Sequence, residues 1–141
     1  MTPLNSDFKA EYDRIFSLWI DDAMTGLKPA ERDFITANVC LNESGNGGLM
    51  QYYENSYGEN AHEAVDVFRR ISQPKAADLL TKANSLMGPK GPAKEQEERG
   101  DQLAALSDAA LDKMAQCSDA LNDLSAQVRA ATLAWVRKFA R

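Results

Sequence analysis

The sequence predicts an all-α fold, a compact bundle of about six to seven helices with no sheet. Apolar residues recur at spacings of three and four through most of the chain, the period of a helix with one buried face. No segment alternates apolar and polar residues over five or more positions, so no strand is expected. Prolines and glycines punctuate the pattern where helices would start and stop. The 141 residues suit a single domain, and 44% hydrophobic with 26% charged residues is an ordinary globular balance.

A first helix is expected over about 6–24, capped by Ser6 and ended by Thr25-Gly26, with Phe8, Tyr12, Ile15, Phe16 and Trp19 as its apolar stripe. Pro29 opens a second helix that runs to about Glu43, with Phe34, Ile35, Val39 and either Leu41 or Asn38 on its buried side. Ser44-Gly45-Asn46 breaks it. Asn46 then caps a short third helix, roughly 47–56, and Gly58 is its left-handed stop. Asn60 and Glu63 have the spacing of a capping box for a fourth helix. Pro74 opens a fifth, close enough through Ser72-Gln73 to pair tightly with the fourth.

The Gly88–Pro92 run is the clearest break, and the charged Lys94–Arg99 run shows no apolar face. The segment from about 88 to 100 is therefore expected to be a flexible insertion within one domain spanning 1–141. Two helices follow, over about 101–115 and 118–140, the second capped by Ser118. Trp135 and Phe139 of the terminal helix pack on the core or, alternatively, form a homodimer surface.

Several chemistries find no support. The lone histidine, His62, has no second histidine or nearby cysteine to share a metal, and it is expected at the surface. Cys40 and Cys117 lie far apart in helical patterns, as reduced, buried thiols of a cytoplasmic protein do. Ser44 and Ser56 have no evident base, and nothing fixes a gap between Asp21-Asp22 and Glu43 for paired-carboxylate chemistry. Gly45–Gly48 lacks the Gly-Lys-Ser/Thr of a phosphate loop. No catalytic residue, metal ligand or cofactor is assigned. No apolar run approaches a membrane span.

The formal charge is −5, unevenly spread: residues 1–66 hold twelve carboxylates against four bases, a net of −8, and the remainder is +3. The acidic half argues against direct nucleic-acid binding and suits a basic partner.

The most unusual stretch runs from Asn46 to Gly58. Paired glycines at a helix start allow close approach by a neighbour and leave backbone amides free for an acceptor. Gln51 and Asn55 are four apart on one face, and Tyr53 and Tyr57 four apart on another. The amides could clamp buried backbone, face a partner, or line a pocket.

Glu43 followed by Asn46, Gly47, Gly48, Gln51, Tyr52, Tyr53, Asn55 and Gly58 resembles the signature of a bacterial helical domain family of largely unknown function that includes a DNA-mimic protein. Ala61 to Met87 is similar to that family's Ala-rich helix pair, and Ala110-Leu111-Asp112 to its later Leu-Asp turn. Gly45 stands where the family often has asparagine. The resemblance implies an all-helical fold. It also implies a role without catalysis, in which surface carboxylates stand in for DNA phosphates and engage a basic protein such as a transcription regulator. Asp21, Asp22, Glu54, Glu59, Glu63 and Asp66 are the candidate acidic surface, a sparse set beside duplex DNA with roughly one charge per 1.7 Å. The alternative is an enzyme or small-ligand binder with a pocket around Gln51, Tyr52 and Asn55.

Overall fold

A single long helix, α2 (Pro29–Glu54), runs through the middle of the molecule and touches most of the other elements. The computed structural model describes residues 4–22 and 26–140. In chain order the helices are α1 (Leu4–Asp22), α2, then a 3₁₀ turn (Ser56–Asn60), α3 (Ala61–Arg70), α4 (Pro74–Leu86), α5 (Gln96–Ala104), α6 (Asp108–Asp123) and α7 (Ser125–Phe139). The described residues thus form seven α-helices and no strand, the all-α class expected.

α2 begins at Pro29, where the proline needs no amide partner, and the Lys28 amide donates to the Glu31 carboxylate (3.0 Å). Because neighbours surround it, α2 buries more than one face. Asn38 and Leu41, offered as alternatives from the periodicity, are both inside. Asn38 is satisfied there by donating to the Phe34 carbonyl (2.8 Å) and to Thr132 Oγ1 (2.9 Å).

The core has two parts. The larger lies among α2, α3, α4 and α6, around Tyr52, Tyr53, Phe68, Leu80, Met114 and Leu121. The smaller lies where α1 and α7 cover α2, around Ile15, Phe34, Ile35, Val39 and Val136. α1 approaches it with an aromatic ladder, Phe8, Tyr12, Phe16 and Trp19, that continues onto Tyr57 at 5.1 Å between ring centroids. Ser6 lies within α1 and does not cap it, and the expected stop at Thr25 falls outside the described residues.

α3 and α4 pack against each other through the short link expected, with Ser72 at φ 63°. Two cap assignments change. Asn60 makes no side-chain cap bond, and the Glu63 carboxylate is held instead by Arg32 Nε and Nη2 at 2.7 and 2.8 Å. Ser107 caps α6 by accepting from the Ala110 amide (3.1 Å), so the helices expected over 101–115 and 118–140 are divided elsewhere. Ala110–Asp112, likened to a turn, lies inside α6. In α7, Trp135 is half-buried and donates to Asp33 (3.1 Å), whereas Phe139 packs tilted against it and stays 52% exposed.

The charged Lys94–Arg99 run contains a deeply buried cation. Arg99 is 0% exposed and donates to four main-chain carbonyls: Tyr53 (2.8 Å), Asn55 (2.8 Å), Ala93 (3.0 Å) and Lys94 (2.6 Å). Its neighbour Gln102 donates to the Met87 and Gly91 carbonyls and accepts from the Ala93 amide. An exposed turn of helix or a loose loop was the sequence expectation for this run, because a single arginine in a charged stretch carries no apolar period. Replacing Arg99 with methionine keeps bulk but abandons four acceptors. Chemical denaturation should show a loss of about 3 kcal/mol, and a loss under about 1 kcal/mol would refute the role of these bonds.

Candidate functional site

α2 is broken at Gly47 (φ −149°, ψ 18°) and Gly48 (φ 77°, ψ 176°), just beyond the break expected at Ser44-Gly45-Asn46. Gly48 occupies a conformation that essentially only glycine adopts. The break frees the Leu49 amide, which donates to Ser118 Oγ (2.8 Å), and Ser118 in turn donates to the Met114 carbonyl (3.0 Å). Ser118 was expected to cap its own helix. It lies instead in the middle of α6 and caps the second segment of α2.

Across the break, Glu43 is gripped by the two signature amides. Gln51 Nε2 donates to one carboxylate oxygen (2.5 Å) and Asn55 Nδ2 to the other (2.6 Å). Glu43 is buried, so these bonds replace water that its oxygens have lost. Gly47 makes the reach possible: a Cβ there would lie 2.2 Å from Gln51 Oε1.

The remaining signature residues also serve packing. Tyr52 is completely buried. Tyr53 is too, and its hydroxyl donates to Asn84 Oδ1 (2.6 Å) while Asn84 donates to the Ala61 carbonyl. The tyrosine stripe expected from Tyr53 and Tyr57 therefore gives way to Tyr52 and Tyr53, with Tyr57 half-buried against Trp19. Gly58 does not adopt a left-handed conformation. It is glycine because a Cβ would meet the Tyr52 carbonyl at 2.7 Å and Arg99 Nε at 2.8 Å. Gln51, Tyr52 and Asn55 do not converge on a cavity: the amides are turned onto Glu43 and the ring is inside the core. Of the signature, Asn46 and Gly47 are exposed, and the Asn46 side chain makes none of these contacts.

Cys40 and Cys117 are free and buried, and burial pushes the Cys40 thiol up to about 12, far from a reactive thiolate. His62 is exposed, with Nε2 3.1 Å from the Pro92 carbonyl. Among the described residues no three His, Cys, Asp or Glu side chains gather as a metal site, and no helix is long and apolar enough to cross a membrane.

The acidic candidates are dispersed. Asp21 and Glu54 are exposed at the ends of α1 and α2, and the Asp22 side chain falls outside the described residues. Glu59 and Asp66 are exposed, but Glu63 between them is neutralised by Arg32. Its two hydrogen bonds from Arg32 hold the Glu63 carboxyl below its ordinary value.

A more regular acidic feature lies on α6. Asp108, Asp112, Asp119 and Asp123 are all exposed and make no ion pair among the described residues. At 100° per residue they fall within about 60° of arc, a single ridge about 22 Å long. The ridge lies opposite the buried Met114, Cys117, Ser118 and Leu121. At its C-terminal end it borders Lys75 and Lys82 across a shallow cleft. Averaging charge over half the chain concealed it. Residues 95–123 carry eight carboxylates and two bases, between stretches of +5 (67–94) and +4 (124–141). The spacing of four, seven and four between the aspartates was the available signal.

The DMP19-like protein family model matches residues 25–139. The chain belongs to the DMP19-like family. No curated protein and no solved structure matches it. The family match covers α2 through α7 and leaves α1 outside, so the signature, the Glu43 clamp and the α6 ridge all fall within it.

Two predictions test this geometry. Gly47→Ala and Gln51→Ala should each cost about 1–2 kcal/mol, and the double variant should cost clearly less than the sum, because each removes the same Gln51–Glu43 bond. Additive losses in a denaturation cycle would show that Gly47 serves another purpose. The second concerns pH. A folded value below the unfolded one means that Glu63 contributes stability above the ordinary glutamate range, lost as pH falls through the folded value. Glu63→Gln should therefore melt lower than the parent at pH 7, and the gap should close in acid. An unchanged gap at pH 3 and pH 7 would contradict the Arg32 pairing.

Proposed function

We infer that this protein is a non-enzymatic interaction domain that binds a basic protein through acidic helices, with a nucleic-acid-binding regulator as the partner class. The α6 ridge carries the reading most directly: four exposed carboxylates in line, none neutralised by a neighbour among the described residues. A buried or paired carboxylate contributes little to a partner, and this distinguishes the ridge from Glu43, Asp33 and Glu63. Membership of the DMP19-like family supports the reading, in line with the DNA-mimic protein that the signature resembles.

Charge density bounds how far mimicry extends. One DNA strand carries a phosphate about every 3.4 Å of axis, so the ridge supplies four charges where a strand of equal length has about seven. This is a local imitation of one strand. Asp21, Asp22, Glu54, Glu59 and Asp66 are further candidates for the contact. With Gln51 and Asn55 turned onto Glu43 and Tyr52 in the core, an enzymatic pocket has no comparable support.

The test is competition. A partner captured from native extract at low ionic strength should be released by duplex DNA and by salt, since counter-charges screen the contact. Replacing all four α6 aspartates with asparagine should weaken the purified complex about tenfold or more and flatten its salt dependence. A complex insensitive to DNA, to salt and to those substitutions would overturn the proposal.

A further inference from the structure

Among the described residues, Arg129 on α7 is a half-buried cation with no carboxylate beside it. Its Nε donates to Ser125 Oγ (3.0 Å), Nη2 to Asn42 Oδ1 (2.7 Å) and Nη1 to Asn38 Oδ1 (3.4 Å), all neutral acceptors. The Phe8 ring of α1 lies 5.4 Å from the guanidinium carbon. Burial lowers the Arg129 pKa, and the one ionisable neighbour that opposes this is the Tyr12 hydroxyl. Arg14, Arg32, Arg69 and Arg70, by contrast, each have an Asp or Glu within ion-pair distance. A cation withdrawn from water without an opposite charge is costly, and such groups are normally paired.

The side chain borders an open cleft of 440 Å³ whose other walls include Asn42, Gly45, Asn46, Asn122 and Ser125. These are neutral amides, a hydroxyl and a bare glycine, with no acid among them. Asn122 Nδ2 is engaged by the Ser44 carbonyl (3.2 Å), whereas Asn46, the signature residue left without a packing role, is exposed at the rim. A guanidinium has five N–H groups, of which three are used here. The remaining two, with the Asn46 amide, have no acceptor among the described residues and are open to a ligand.

We propose that this cleft binds an oxyanion group, a carboxylate or phosphate on a small molecule, with Arg129 as the charge that holds it and Asn46 and Ser125 as orienting partners. The cleft is a separate feature from the α6 ridge, has the opposite charge, and does not rest on the interaction reading. Oxyanions take Arg bonds in pairs, which suits the two free N–H groups. The position also gives a reason for asparagine at 46 that helix packing does not supply.

The experiment is a pair of NMR titrations of the full chain, one with inorganic phosphate and one with acetate, at ionic strength fixed with chloride. The Arg129 Nε–H and the Asn46 side-chain amide should shift saturably with at least one of the anions. Response to phosphate alone identifies a phosphoryl site, and response to acetate alone a carboxylate site. Arg129→Gln should weaken binding about tenfold or more, as loss of a charged partner does. Because that variant removes a buried network, Asn42→Asp provides a second arm. It places a carboxylate on the Arg129 bond, so it should raise the melting temperature without added anion and abolish the titration. Shifts with both anions no larger than with chloride alone would overturn the proposal. So would a titration of undiminished affinity in Arg129→Gln, or one that survives in Asn42→Asp.

Discussion

The four carbonyls gathered by Arg99 set the geometry on which the rest of the molecule depends. Two belong to the end of α2 and its exit, Tyr53 and Asn55, and two to the loop before α5, Ala93 and Lys94. One cation therefore fastens the termination of the central helix to a segment about forty residues later. Carbonyls at a helix end lack intrahelical donors, so they are natural acceptors for a positive group. Gly58 must stay bare for the guanidinium to lie there, and the 3₁₀ turn follows from that close approach.

The break in α2 is the complementary device. A helix that simply ended near residue 44 would leave its successor to find an arbitrary direction. Here Gly48 turns the backbone, Ser118 from α6 receives the freed amide, and Glu43 bridges to Gln51 and Asn55 beyond the turn. Each contact constrains a different degree of freedom. Together they place Tyr52 and Tyr53 in the core, where a small shift would leave the Tyr53 hydroxyl without Asn84.

Much of the fold was legible in the chain. The 3.6-residue period identified helices, and Pro29 and Pro74 marked two starts because proline costs nothing where no amide partner is needed. The weak points were polar. Ser118 has the chemistry of a cap, yet sequence cannot say which helix it caps when the partner lies 69 positions away. Arg99 was hidden for the same reason, since a buried arginine satisfied by carbonyls leaves no pattern among its neighbours. Local chemistry was also misassigned at Asn60 and Glu63, where a distant arginine outcompeted the nearby backbone. The paired amides of the signature were expected to clamp backbone, face a partner or line a pocket; they hold a side chain instead, the Glu43 carboxylate. The aspartate ridge of α6 was not legible in the charge count, because a net charge over sixty residues ignores which carboxylates share a helix face.

α1 gives the smaller core its outer wall, although the family match starts only at residue 25. It contributes one fully enclosed side chain, Ile15, and four aromatics that are each only partly covered. A chain cut back to the matched segment would present Phe34, Ile35, Val39 and the underside of Tyr57 to water as one adhesive face. In this protein, then, the boundary of the recognisable family and the boundary of the folded unit do not coincide: the first is drawn by ancestry, the second by what must be kept dry.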